Sequence, residues 1–416
     1  CGQEYYSVRF TEQAGSPRQF IPREPFERVH GDDERAGYLA VNVDDLWPDD
    51  DQEQRFRLPE DWLDGAGMVA SANRRVVPRR LVVDEGGREC AVGNNVIFLP
   101  APFRFCPRCG VAYASRPAND FAKLASLASE GRSTATTILC LSALRQLKGA
   151  ATLAEQAKKL LSFTDNRQDA SLQAGHFNDF VEVGLLRSAV YRAVLAAGPN
   201  GLPHDQLAQK AFEALGLNLG LYAANPGVMF QQKLETERAF RDVIGYRVYR
   251  DLQRGWRVTA PNLEQCGLLE IDYESLGDLC AYQPAWAACH PALAGATPAT
   301  RAEIGRTLLD FMRRSLAINV DYLKPLWQDS LRQRSNQYLV APWGIDENEK
   351  LEYAPVAMPQ PRTGAGQATD IYISARGGFG QFLRRKNTLP HLRQPLSVAD
   401  AQLVIGQLLE ALRTAG

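Results

Sequence analysis

The segment KLLSFTDNRQDASLQAGHFNDF, residues 159–180, constrains the chain more than any other stretch. Leu160, Leu161 and Phe163 form a short apolar run that reads as a brief buried strand, too short for a helix by itself. Thr164, Asp165 or Asn166 can cap the helix that follows, which the apolar spacing carries to about residue 197. A strand turning into a capped helix leaves free backbone N–H groups at the helix start. That is a natural phosphate site, and Arg167 in the first turn adds a cation. The same pattern also serves as an ordinary strand-to-helix connection, so the residues alone leave both readings open.

Other features set bounds around this segment. A chain of 416 residues has room for two to four domains. Its 45% hydrophobic and 23% charged residues are those of a globular protein, and no apolar run reaches membrane-spanning length. A formal net charge of −1 gives no global attraction to nucleic acid, so such binding has to come from local basic patches. The chain opens on Cys1 rather than methionine and shows no signal peptide, and its last helical pattern, residues 403–414, stops without a folded sequel. We therefore expect a fragment of a longer cytoplasmic protein. Eight scattered cysteines without a secretion signal fit a reducing compartment better than a disulfide framework.

Residues 1–60 are polar and punctuated by Pro and Gly. The acidic run at residues 44–51 reads as a solvated loop, pinned by Trp47 and Trp62. Short β-type runs follow at Val76-Val77, Leu81-Val82-Val83 and residues 96–99, with Gly86-Gly87 as a hairpin turn. Leu81-Val82-Val83-Asp84-Glu85 imitates the strand-then-acid pattern of a magnesium site. No GxxxxGK[ST] loop accompanies it, and we assign it to the sheet.

The sheet ends at Cys106-Pro107-Arg108-Cys109-Gly110, a CxxC knuckle that supplies half of a tetrahedral zinc site. Cys1-Gly2-Gln3-Glu4-Tyr5 parallels Cys109-Gly110-Val111-Ala112-Tyr113, which makes Cys1 a third ligand candidate and places a fourth upstream of it. Cys90 is a spare candidate. Reduced cysteines with only a packing role are the alternative. Any zinc here would be structural.

Beyond residue 197 the sequence predicts helices over 205–215 and 231–252, then strands at Gly255-Trp256-Arg257-Val258 and residues 267–273. Helix, helix, strand, strand is winged-helix order, in which Arg241, Arg247, Arg250 and Arg254 are either DNA contacts or a solvated face. Residues 274–337 read as mostly helical, 338–361 as irregular and 370–373 as a strand. The strand leads into Ala375-Arg376-Gly377-Gly378-Phe379-Gly380, followed by Arg384-Arg385-Lys386. Glycines, aromatics and cations in this order suit a nucleic-acid backbone, with Phe379 available to stack on a base. A tight loop with a solvated basic edge is the other reading.

The run at residues 159–180 resembles motif IV of the second RecA-like domain of superfamily 2 helicases. It is closest to the large bacterial DEAD/DEAH-box proteins related to Lhr and MrfA. A second block, GWRVTAPNLEQCGLLEIDY at 255–273, resembles a downstream segment of the same proteins. The resemblance implies a mixed α/β and α chain. A polar loop and β-rich zinc-type region fills 1–115, and the start of a RecA-like domain 116–197. A winged-helix-like module occupies 198–275, a helical region 276–345 and a further mixed β/α module 346–416. It implies strand contact by Thr164, Asn166 and Arg167; the glycine, aromatic and cation pattern adds Arg376, Arg384 and Arg385 as contacts, with DNA as the expected nucleic acid. The zinc ligands would be Cys1, Cys106 and Cys109. The Walker motifs and the arginine-rich motif VI are absent from the sequence. ATP and magnesium would therefore belong to the parent protein, bound with the first RecA-like domain and the remainder of the second. This chain alone would be inactive. A non-enzymatic zinc-containing winged-helix adaptor is the competing class.

Overall fold

The computed structural model describes residues 3–11, 16–24, 34–41, 46–59, 62–64, 66–108, 110–113, 120, 123–124, 132–161, 167–253, 262–360, 370–385 and 387–415. The side chains of 132–134, 167–172, 175–176 and 178–179 lie outside this description. The chain is mixed α/β and divides into two compact units, each built from separated segments. The first comprises Cys1–Ser126, Asp272–Ile318 and Ala354–Gly416, and the second Leu127–Ile271 and Asn319–Tyr353. No described helix is long and apolar enough to cross a membrane.

The first unit carries a five-stranded antiparallel sheet: β1 (Tyr6–Thr11), β2 (Ile21–Pro22), β3 (Glu34–Val41), β4 (Arg79–Val83) and β5 (Asn94–Pro100), in the order β2-β1-β3-β5-β4. Side chains alternate across the two central strands. Tyr38, Ala40, Ile97 and Leu99 enter one core with Trp47, Leu58, Trp62, Phe103 and Phe105. Leu39, Val96 and Phe98 enter another with Val8, Phe10 and Phe20. Both faces being covered explains why β3 and β5 read as continuous apolar runs rather than alternating ones.

Residues 1–60, polar in sequence, supply β1, β2 and β3 of this sheet. The acidic run is put to local use instead. The Asp50 side chain accepts from the Glu53 amide at 2.8 Å and caps α1 (Asp51–Arg57). Trp47 and Trp62 are buried as anticipated. The Gly86-Gly87 turn also holds, closed by the Gly87 amide donating to the Asp84 carbonyl at 3.0 Å.

The remainder of this unit is helical: α6 (Leu276–Ala281), α7 (Pro291–Ala294), α8 (Pro298–Arg314), α10 (Gly378–Leu383) and α11 (Val398–Ala415). The pair β6 (Ala357–Met358) and β7 (Ile371–Tyr372) is parallel. Trp286, Leu293, Ile304, Leu308, Ile405 and Leu408 form the centre of their shared core. Thr297 starts α8 by accepting from the Thr300 amide at 3.1 Å, with Pro298 in the first turn, where its missing N–H costs nothing.

The second unit contains α2 (Arg132–Gly149), α3 (Arg167–Ala197), α4 (His204–Leu215), α5 (Phe230–Leu252) and α9 (Pro325–Tyr338). α5 is its central rod, buried on most sides through its second half. Phe240 stacks on Tyr222 at 4.2 Å and meets the Trp343 ring edge at 4.7 Å. The expected helices at 205–215 and 231–252 are both present. The expected strand at residues 267–273 is not, and of the run expected at 160–163 only Leu160 and Leu161 are described. Leu160 and Leu161 lie in no strand and are exposed, Leu161 by 80%. A strand is stable only when a neighbour takes up its backbone groups, and none does so here among the described residues. Residues 267–273 are turn and irregular chain, and 255–258 lie outside the described residues.

Candidate metal centre and nucleic-acid face

The expected zinc knuckle is carried on a tight hairpin in the first unit. The Tyr113 amide donates to the Arg104 carbonyl at 2.8 Å, Phe105 bridges Ala112, and the Cys106 amide donates to the Val111 carbonyl at 2.9 Å. At the tip the Gly110 amide returns to the Cys106 carbonyl at 2.8 Å. Gly110 has a φ of +69°, and a side chain there would meet the Gly378 Cα at 3.2 Å. Both conditions restrict the position to glycine. Cys106 is 5% exposed, and its Sγ lies 3.1 Å from the Tyr5 hydroxyl.

The CGxxY parallel read in the sequence has a counterpart in the fold. Tyr5 and Tyr113 both pack on Phe103, with ring centres at 5.2 and 6.0 Å. Cys1 and Cys109 lie outside the described residues. Among the described residues no three His, Cys, Asp or Glu side chains are placed to hold a metal ion. The donor chemistry at Cys106 fits zinc: a thiol on a glycine-closed turn, beside a hydroxyl able to donate to a thiolate. Cys90 belongs elsewhere, because its thiol sits in the β4–β5 connection, 3.2 Å from the Val92 carbonyl.

The basic segment after β7 packs against this knuckle, so two features read separately in the sequence become one locality. The backbone at Gly378 lies on Gly110, and Arg385 donates to the Arg108 carbonyl at 2.9 Å. The arginines divide by role. Arg384 is turned inward. Its guanidinium stands 4.4 Å over the Phe56 ring and donates to the carbonyls of Leu396, Phe56 and Ala375 at 3.3 to 3.4 Å. Burial, and then the neighbouring charge of Arg376, push its pKa down to about 10 against the opposing pull of Glu53. Arg384 thus spends its guanidinium on contacts within the unit. Phe379, offered for base stacking, is 3% exposed and belongs to the helical core. Arg376 and Arg385 are partly exposed and form the outward part of the segment.

The motif-like run is described only from Arg167 onward. Arg167 is the first residue of α3, while Thr164 and Asn166 lie outside the described residues. The α5 arginines read as possible contacts, Arg241, Arg247 and Arg250, are engaged within the unit. Arg247 is 5% exposed, pairs with Glu182 at 3.1 Å, donates to the Pro342 carbonyl at 2.5 Å and stands over Trp343 at 5.3 Å. Arg250 pairs with Glu349 at 2.7 Å, and Arg241 donates to Gln209 at 3.1 Å. They form internal ties, and Arg254 lies outside the described residues.

The second unit also holds a cleft of about 320 Å³ lined in part by His204, Asp205, Gly245, Tyr249, Asp321 and Tyr322. Tyr322 rests directly on Gly245, where a Cβ would fall 2.4 Å from its ring. Lys324 at the rim is paired with Asp321 at 2.6 Å.

No protein-family model, no curated protein and no solved structure matches the chain.

Proposed function

We propose that this chain is part of an ATP-dependent superfamily 2 nucleic-acid helicase or translocase, supplying strand grip and accessory regions while the ATP-binding motifs lie elsewhere in the parent protein. The observation that carries the reading is the motif IV-like run entering a 31-residue helix that begins at Arg167. A helix start directly after Thr164-Asp165-Asn166 presents unpaired amides and a positive dipole end to a strand phosphate. In this reading α2 and α3 open the second RecA-like domain, and exposed Leu161 awaits its neighbouring strands. α4 and α5 are the helices of a winged-helix module. Zinc, held by Cys106 with Cys1 and Cys109, would supply a structural cross-link between the two knuckles. Arg376 and Arg385 supply an outer contact to the nucleic acid.

The test is Arg167→Ala in the intact protein. DNA binding and unwinding should both fall; unchanged values refute strand grip by this run. A non-enzymatic adaptor is the second reading, supported by apolar residues left exposed in the second unit: Leu139 by 69%, Leu161 by 80% and Leu195 by 67%. ATP-independent binding of DNA or of a protein partner by the intact protein would favour it.

A further inference from the structure

The cleft of the second unit is bordered by Tyr249 of α5 and by Tyr322, whose rings lie 5.3 Å apart at 31°. Tyr249 is only 7% exposed. Neither phenol hydroxyl has a hydrogen-bond partner among the described residues, and neither is sealed into the interior. A buried hydroxyl without a partner is costly, and two on one cleft offer bonds that a ligand can complete.

The charges around the cleft are unequal. Asp321 is taken up by Lys324 at the rim, at 2.6 Å. Asp242, behind Tyr322, is taken up by Arg334 at 2.9 Å and Arg241 at 3.8 Å. Asp205 is exposed in the first turn of α4, and its side chain has no ion pair or hydrogen bond among the described residues. The positive start of α4 offsets only part of its charge. Burial first, and then the Asp205 charge, push the Tyr249 phenol up, so carboxylate and hydroxyl share one end of the cleft. Leu207, Val248 and Val320 line the rest with hydrocarbon.

We infer that this cleft binds a small organic cation, a primary ammonium on an apolar body. Asp205 takes the charge, the Tyr249 and Tyr322 oxygens accept the remaining N–H bonds, and the hydrocarbon wall holds the body. The three N–H donors of an ammonium match one carboxylate and two phenol oxygens. A volume of about 320 Å³ is at the small end of the usual ligand range, about 300–1,000 Å³, and suits a single aromatic ring. The inference stands apart from the helicase reading.

The experiment uses the 416-residue chain in ligand-observed NMR titrations at about pH 8, where an ordinary imidazole is uncharged. The probes are phenethylamine, phenethyl alcohol and phenylacetate, nearly alike in shape and different in charge. The amine should bind saturably, the alcohol at least about tenfold more weakly and the carboxylate not at all. Asp205→Asn should lower amine affinity about tenfold, to the level of the alcohol, without changing the alcohol's own affinity. Tyr249→Phe should lower amine affinity severalfold. Nα-acetyl-lysine amide presents the same ammonium as a protein side chain does. If it matches phenethylamine, the source is a lysine of a partner; if it binds more weakly, the source is a free amine, and either result upholds the cation site. Equal binding of the three probes would overturn the inference by reducing the cleft to an apolar hollow. Unchanged amine affinity in Asp205→Asn would overturn it, and so would an equal fall for the alcohol, which assigns the loss to the fold. No binding of phenethylamine up to about 20 mM, a weak limit for a ligand of its size, would overturn it as well.

Discussion

Arg301 lies with its guanidinium 5.3 Å from the ring centre of Trp286, both side chains at 1% exposure or less. The same guanidinium donates to the carbonyls of Leu293 at 2.8 Å, Cys280 at 3.1 Å and Ala294 at 2.8 Å. It therefore closes the ends of α6 and α7 onto α8. A lysine cannot reproduce a planar fork reaching three acceptors. Arg301→Lys should destabilise the protein by about 2–3 kcal/mol, since it leaves buried carbonyls unpaired. Arg301→Met should cost at least as much. Chemical denaturation followed by circular dichroism measures both.

The division of the arginines gives a test that separates folding from binding. On the proposed function, Arg376→Gln and Arg385→Gln should each lower the slope of log affinity against log salt by about one while leaving stability within about 0.5 kcal/mol. Arg384→Gln should do the reverse, lowering the unfolding midpoint and leaving the slope in place. A slope change for Arg384→Gln alone would contradict the inward placement of that side chain.

Burial raises the pKa of Tyr38, Tyr222, Tyr246, Tyr249, Tyr273 and Tyr322, with Tyr322 pushed up to about 12 from a usual 10. The folded chain keeps protons on these phenols that the unfolded chain releases near pH 10. With more protons bound when folded, stability falls as pH rises through 10 towards 12. Spectrophotometric titration near 295 nm should show six of the 14 tyrosines ionising late in the native protein and at the ordinary pH in denaturant.

Gly245→Ala tests the contact beneath Tyr322. The added methyl would stand 2.4 Å from the ring, and the substitution should cost about 1–3 kcal/mol through overpacking. Tyr322→Leu frees that space at a cost of its own. The double variant should therefore be more stable than the sum of the two single losses, and simple additivity would show that the two positions do not touch.

Helices with a buried apolar stripe were legible in the sequence. α4 falls within a few residues of its expected position, and α8 lies inside the stretch read as mostly helical and α11 over the last helical pattern, because the 3.6-residue spacing of Ile304, Leu308, Val404 and Leu408 survives in the fold. β1 was not legible. Only Val8 and Phe10 of that strand are buried, with Arg9 between them and Ser7 before, in a polar neighbourhood that gives composition little to mark a strand. The turn closed by Gly110 on Cys106 was readable because the CxxCG spacing carries a glycine at its end. The basic segment was readable only as a composition. Neighbouring arginines look alike in sequence, and only the position of Phe56, over 300 residues earlier, turns Arg384 inward while Arg376 stays outside. Spacing likewise left the fate of Arg247 and Arg250 open, since their partners Glu182 and Glu349 sit on other elements.

The packing of Gly378 on Gly110 also sets a schedule. At a synthesis rate of about 5–20 residues per second, α10 leaves the ribosome on the order of 15–50 s after the turn it covers. Hairpin closure takes only about 1–10 μs, so the knuckle has time to close and reopen many times in that interval while uncapped. For a nascent chain this is a window in which the Cys106 turn meets the surrounding solution before its lid exists. Order of synthesis, rather than affinity alone, then governs when that turn is closed over.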